Sequence, residues 1–168
     1  MNKFSTKMLT RAGVIAALYV ALTYAFFPIS FGGEQARISE ALTILPLFYI
    51  EAVPALYIGC LISNLMGLGV YDILIGSLAT LIAATATYYI GKTNLNKHVK
   101  IFLGIIPPII VNALIIPLVI YLSGGLEKAY FLQALLIGAG ELAVTATLGV
   151  GLYYSVWAMR ERKIGVML

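Results

Sequence analysis

Residues 8–28 read MLTRAGVIAALYVALTYAFFP, from Met8 to Pro28, with Arg11 near the start as the one charged side chain. At about 1.5 Å per residue, these 21 residues make a helix about 32 Å long, the thickness of a hydrocarbon core. A basic start followed by an apolar run also suits a secretory signal. The run exceeds the roughly 7–15 apolar residues of a signal's hydrophobic region, so it is read as a retained first helix.

Composition extends this reading to the whole chain. Only 11% of the 168 residues are charged and 61% are hydrophobic, with a mean hydropathy of +0.99. A soluble domain would be about a quarter charged, and so much apolar surface cannot be hidden inside one small globule. Lipid is therefore the solvent for most of it. Further apolar segments follow at about 36–50, from the Glu51–Pro54 turn to Met66, 71–90, 101–122 and 129–157. Short turns separate them, with Gly32-Gly33, Gly67 and Gly69, the basic stretch 91–100, and Ser123-Gly124-Gly125. The expectation is all-α: a six-helix transmembrane bundle forming a single integral membrane domain over 1–168. The second and third helices are short for a bilayer, at about 21–23 Å. They fit if tilted, or if irregular backbone beside them is covered by protein or lines a cavity.

Basic residues orient the bundle. Lys3, Lys7 and Arg11 lie before or early in helix one, Lys92, Lys97 and Lys100 lie between helices four and five, and Arg160, Arg162 and Lys163 follow helix six. With six spans all nine fall on the side of the termini, and only Arg37 and Lys128 fall opposite. The positive-inside rule then makes both termini cytoplasmic. Tyr153, Tyr154 and Trp157 suit an aromatic belt at that interface. Topology thus accounts for the basic clusters, and no nucleic-acid partner is needed.

Catalytic and cofactor signatures are missing from the sequence. Gly91-Lys92-Thr93 imitates the end of a phosphate-binding loop, but position 86, where the loop's first glycine belongs, is Ala86. The lone Cys60 offers neither a disulfide nor a thiolate metal site and reads as a small packing residue. No cofactor or metal is expected.

Polar residues within the spans are costly, so their depth carries information. Asn64 sits about 20 Å along helix three from Glu51, and Asn112 about 18 Å along helix five from Lys100. Glu141 lies about 28 Å along helix six from Arg160. Asp72 opens helix four, and Arg37 and Glu40 open helix two, at the outer end. The inner half holds little beyond Thr85, Thr87 and tyrosines. Such asymmetry fits a cup open to the outside, with Phe26, Phe27, Phe31, Tyr71 and Tyr121 at the same level as aromatic walls. Each residue has a plainer role too. Arg37 and Glu40 fit a helix-surface ion pair, Asp72 fits a helix cap, and Asn64 and Asn112 fit hydrogen bonds between helices. Glu141, just after Gly138 and Gly140 in an apolar helix, needs a partner or a ligand. In helix one, Ala12 and Ala16, and likewise Ala17 and Ala21, form rows that admit a close helix, within the chain or outside it.

The segment from Ala36 to Pro46, ARISEALTILP, and the segment from Leu68 to Thr80, with Tyr71-Asp72 and Gly76-Ser77, closely resemble the QueT family. These are substrate-binding S components of energy-coupling factor (ECF) transporters, and the resemblance runs over most of the chain. It implies capture of a queuosine precursor, a 7-deazaguanine such as queuine or its aminomethyl precursor, on the outer face of a prokaryotic plasma membrane. It further implies a scaffold membrane subunit, met by the alanine rows of helix one, and two ATPase subunits that drive uptake. The ligand would lie in the outer half of the bundle. Glu141 or Asp72 would accept the paired donors of the base, and Asn112 or Asn64 would read its carbonyl. Glu34 or Glu40 would meet a cationic arm, and an aromatic ring would stack on the base. The alternatives are an S component for another vitamin, or a stand-alone proton-coupled transporter with Glu141 as the carrier.

Overall fold

A computed structural model describes residues 5–32, 37–67, 69–125 and 128–162, and all regular structure among them is helical. Helix α1 (Thr6–Ala25) starts on Ser5, whose hydroxyl caps the Met8 amide, and breaks at Phe26. The single turn α2 (Phe27–Ser30) follows, with Pro28 near its start, where the missing N–H costs nothing. Helix one therefore ends before Pro28, by three residues.

The next element departs from expectation in kind. Ile38–Leu47 forms a ten-residue 3-10 helix, not an α-helix over 36–50. Runs this long are uncommon, because the hydrogen-bond geometry is poorer. Here the sequence repeats every three residues, and side chains at i and i+3 eclipse. One row holds Glu40 and Thr43, whose hydroxyl donates to the Glu40 carbonyl at 2.6 Å. A second row holds Leu42 and Leu45, which join Ile15, Tyr19, Ala52 and Leu56 in one core cluster. The third holds Ile44 and Leu47, which join Ile101, Ile105 and Tyr153 in another. Every residue from Ser39 to Leu47 is buried. A rise of about 2.0 Å per residue carries ten residues about 20 Å, where an α-helix would cover about 15 Å. The element is short, but the bundle covers it on all sides, as irregular backbone at membrane depth requires.

Helix α3 (Ala52–Gly67) packs mainly on α1. A Cβ on Gly59 would lie 2.8 Å from Tyr19 Cβ and 3.1 Å from the Ala16 carbonyl, so only glycine permits this approach. Ala12 and Ala16 are half-buried against the same cluster, whereas Ala17, Ala21 and Gly13 are exposed. The two alanine rows thus face different surroundings. A π-helical turn (Asp72–Gly76) leads into α4 (Ser77–Lys92). Helix five is split into α5 (Lys97–Gly104) and α6 (Ile106–Leu122), because Pro107 and Pro108 occupy the first turn of α6. Helix six is α7 (Tyr130–Val144), a second π-helical turn (Thr145–Gly149) and α8 (Val150–Glu161).

Four helical stretches are long and apolar enough to cross a membrane: Thr6–Ala25, Asp72–Lys92, Lys97–Leu122 and Tyr130–Glu161. Ile38–Leu47 and Ala52–Gly67 are apolar but shorter. The basic clusters meet at one end of the bundle, around the turn after the 3-10 helix. There Arg11 pairs with Glu51 at 2.7 Å, the Lys97 ammonium lies 6.0 Å over Trp157, and His98 bonds the Tyr154 hydroxyl at 2.7 Å. Lys3 and Lys163 lie outside the described residues.

The end of α4 closes on the 3-10 helix through Gly91, where a Cβ would sit 2.6 Å from the Leu47 carbonyl oxygen. Backbone cannot yield as a side-chain tip does. Gly91→Ala is expected to cost about 1–3 kcal/mol by overpacking, read as a lower melting temperature of the purified protein. An unchanged melting temperature would mean that this approach is looser than the structure has it.

Candidate functional site

Toward the end opposite the basic clusters, five elements enclose one small polar cavity. Arg37 and Glu40 enter it from the start of the 3-10 helix, Gly76 from the end of the first π-helical turn, Thr80 from α4, Asn112 and Ile116 from α6, and Ile137 and Glu141 from α7. Its volume is about 20 Å³, room for about one water molecule.

Glu141 is the focus. It is 7% exposed, and Asn112 Nδ2 donates to its Oε2 at 3.1 Å. Its other oxygen, Oε1, is buried and has no hydrogen-bond partner among the described residues. A buried acceptor left unmade costs about 1–3 kcal/mol, more for a charged group. One wall of the cavity is therefore an acceptor without a donor. Below it, Thr145 Oγ1 donates to the Glu141 carbonyl at 2.7 Å, at the step into the second π-helical turn. Such turns widen a helix locally and recur at functional sites.

Across the cavity, Glu40 accepts a short hydrogen bond from the Tyr19 hydroxyl, which reaches over from α1. Tyr19 is fully buried, and its carbonyl accepts from Thr23 Oγ1 at 2.8 Å. Arg37 is buried too, with Nη1 3.5 Å from Cys60 Sγ and its guanidinium 5.8 Å from the Phe31 ring. Both residues line the cavity, which excludes a surface ion pair. The wall thus carries two carboxylates and one guanidinium.

Asn64 and Asp72 stand one layer behind. Asn64 Nδ2 donates to the Asp72 carbonyl at 2.8 Å and to Ser77 Oγ at 3.2 Å, tying α3 to the first π-helical turn. It also lies 3.5 Å from where a Gly76 Cβ would be, so it backs the cavity wall without lining it. Both residues are buried. Phe27 and Tyr71 are on the exterior, 46% and 44% exposed. Phe27 stacks on Phe31 at 4.7 Å, outside the cavity, and the apolar lining is aliphatic. Glu34 lies outside the described residues.

Three residues that sequence reading did not assign to the site belong to this network. Tyr19 gives no signal of its own, being one aromatic among the many in the spans. Thr80 reads as an ordinary intramembrane threonine. Cys60 packs in the core, as expected of a small residue, but its sulfur also lies 3.3 Å from Thr80 Oγ1 and 3.5 Å from Asn64 Nδ2.

The model of a family described as the QueT transporter matches residues 9–157, which include every residue of the cavity. The chain belongs to the QueT transporter family. It is similar to the queuosine precursor transporter QueT of Lactococcus lactis subsp. cremoris (strain MG1363), 37% identical over 84 residues. That alignment covers 49% of this chain and 50% of the relative, so the matched stretch spans about half the relative's length. No solved structure matches the chain. QueT is a family of transporters.

Proposed function

We propose that the chain is the substrate-binding component of an ECF-type transporter that captures a queuosine precursor from outside the cell. The observation that carries this reading is the unpaired Glu141 Oε1, held by Asn112 at the edge of a buried cavity. A 7-deazaguanine presents a ring N–H and an exocyclic amine side by side. Glu141 can accept both, since each carboxylate oxygen has two lone pairs and Oε2 can take a second donor beside Asn112. Arg37, which lines the same cavity, donates to the base carbonyl in this reading. Glu40 then completes a wall with one more carboxylate than guanidinium, which favours a ligand bearing a positively charged arm. The similarity to a queuosine precursor transporter supports a queuosine precursor as the solute.

In this reading the basic end is cytoplasmic, by the positive-inside rule, and the cavity lies in the outer leaflet of a prokaryotic plasma membrane. All six apolar segments cross, the two short ones sheltered by the rest. A scaffold membrane subunit meets the exposed row Gly13, Ala17 and Ala21, and two ATPase subunits supply the energy. A cavity of about 20 Å³ is far smaller than a purine-sized base. Binding therefore requires the Arg37–Glu40 segment and the α6–α7 wall to part.

The test is equilibrium titration of the purified protein with 7-aminomethyl-7-deazaguanine, the same base with a neutral nitrile arm, guanine, riboflavin and thiamine. The aminomethyl base is expected to bind most tightly. The nitrile should be weaker by about tenfold or more, the worth of one charge-assisted hydrogen bond. Binding of a flavin or thiamine without the deazaguanines would move the chain to another vitamin. Uptake into liposomes holding this chain alone would instead favour the stand-alone transporter.

A further inference from the structure

Helices α1 and α8 both pack on the 3-10 helix but leave an open groove between them. The groove has a volume of about 580 Å³, and Val14, Ile15, Leu18, Leu45 and Val156 form its apolar length. Val14 and Leu18 are exposed, so this length faces the hydrocarbon of the membrane. Toward the basic end the groove passes Lys7 and Arg11 and lies beside a second hollow of about 370 Å³, bordered by Glu51, Lys92 and Arg160. Arg11 and Tyr49 line both spaces, so the two adjoin at this pair.

The cations around this hollow are seated on aromatic faces. The Arg11 guanidinium lies 4.5 Å over Tyr49, Arg160 lies 5.4 Å from both the Phe48 and Tyr49 rings, and Lys92 lies 5.2 Å over Tyr88. Stacking on a ring face fixes a cation without using its N–H donors. Glu51 takes one Arg11 amine at 2.7 Å, while Arg11 Nε is buried with no hydrogen-bond partner among the described residues. Lys7, Arg11, Lys92 and Arg160 thus face a single carboxylate.

We propose that this groove binds an anionic phospholipid, with the phosphate among Arg11, Lys92 and Arg160 and an acyl chain along the apolar length. Charge decides the occupant. A zwitterionic headgroup would bring its own cation among four others, whereas an anionic one brings none. A partner's apolar helix would fill the groove but leave the cations without a counter-charge.

The measurement is native mass spectrometry of the detergent-purified protein titrated with phosphatidylglycerol or phosphatidylcholine of identical chains. Phosphatidylglycerol should be retained about 30–150-fold more strongly, as expected for two or three near-surface cations. The double variant Lys92→Gln/Arg160→Gln alters only exposed side chains. It should lower phosphatidylglycerol to the phosphatidylcholine level and leave phosphatidylcholine unchanged. Val14→Trp, which fills the apolar length, should weaken both lipids, and inorganic phosphate alone should displace neither. Equal retention of the two lipids by the unaltered protein would overturn the proposal and leave the groove to a partner helix. Selectivity that survives in the double variant would overturn it as well.

Discussion

Replacing Glu141 with Gln is expected to weaken binding of 7-aminomethyl-7-deazaguanine by about 10–100-fold, the range set by losing a charge-assisted hydrogen bond of about 1.5–3 kcal/mol. The substitution keeps the shape of the side chain and leaves Asn112 an oxygen to which it can donate. What changes is the atom facing the cavity. Where Oε1 now waits as a buried acceptor, an amide offers only one uncharged oxygen, shared with Asn112, and an N–H that meets the donors of the base. The protein itself should not suffer, because the substitution removes a buried charge whose second oxygen is unsatisfied. Titration calorimetry together with a melting curve reads both effects. An affinity within about threefold of the original, in a protein that melts normally, would remove Glu141 from the site.

A larger loss, this time of the fold, is expected from Arg37→Met. Arg37 is the one guanidinium lining the cavity, facing the carboxylates of Glu40 and Glu141. Breaking a buried charge arrangement from one side costs about 3–5 kcal/mol, because the opposite charge stays buried without compensation. In a chain of marginal stability that is enough to lower the yield of folded protein sharply. Arg37→Met/Glu40→Gln removes charge from both sides and should recover most of the stability. It should still bind poorly, having lost both the donor to the base carbonyl and the partner of the cationic arm. Melting temperature and detergent-extracted yield measure the first effect, and titration the second. If the single variant is as stable as the unaltered protein, Arg37 is not the charge that balances this cavity.

Much of the site could be read from position along the chain. Arg37, Glu40, Asn112 and Glu141 stood out because each is a polar side chain at a depth where solvation is lost, and the cavity gathers all four. Asn64 and Asp72 stood out for the same reason but do not line the cavity, and the Asn64 amide donates to the Asp72 backbone carbonyl. Depth alone cannot separate a group that lines a cavity from one that ties two helices behind it. The aromatic wall fails for a related reason. Phe27 and Tyr71 are exposed on the outward side of their segments and do not line the cavity. Tyr19 could not be found at all, since its role depends on Gly59 letting α1 and α3 close until the hydroxyl reaches Glu40.

The segment 38–47 is the most instructive case. Its period of three is present in the sequence, with Ala41, Ile44 and Leu47, then Leu42 and Leu45, then Glu40 and Thr43. Over ten residues a period of three is hard to tell from one of 3.6, and α-helix is the cheaper backbone in isolation. The sequence alone determined that lipid solvates this chain, where its apolar segments run, and that basic and buried polar groups gather at opposite ends. Those properties depend on each residue's own transfer free energy, which adds along the chain. Only the tertiary structure decided that the second segment winds as a 3-10 helix between two core clusters, and that Glu141 faces a cavity with one oxygen unmatched. Those outcomes depend on which surfaces meet, and contact between distant elements is not a property of any one segment.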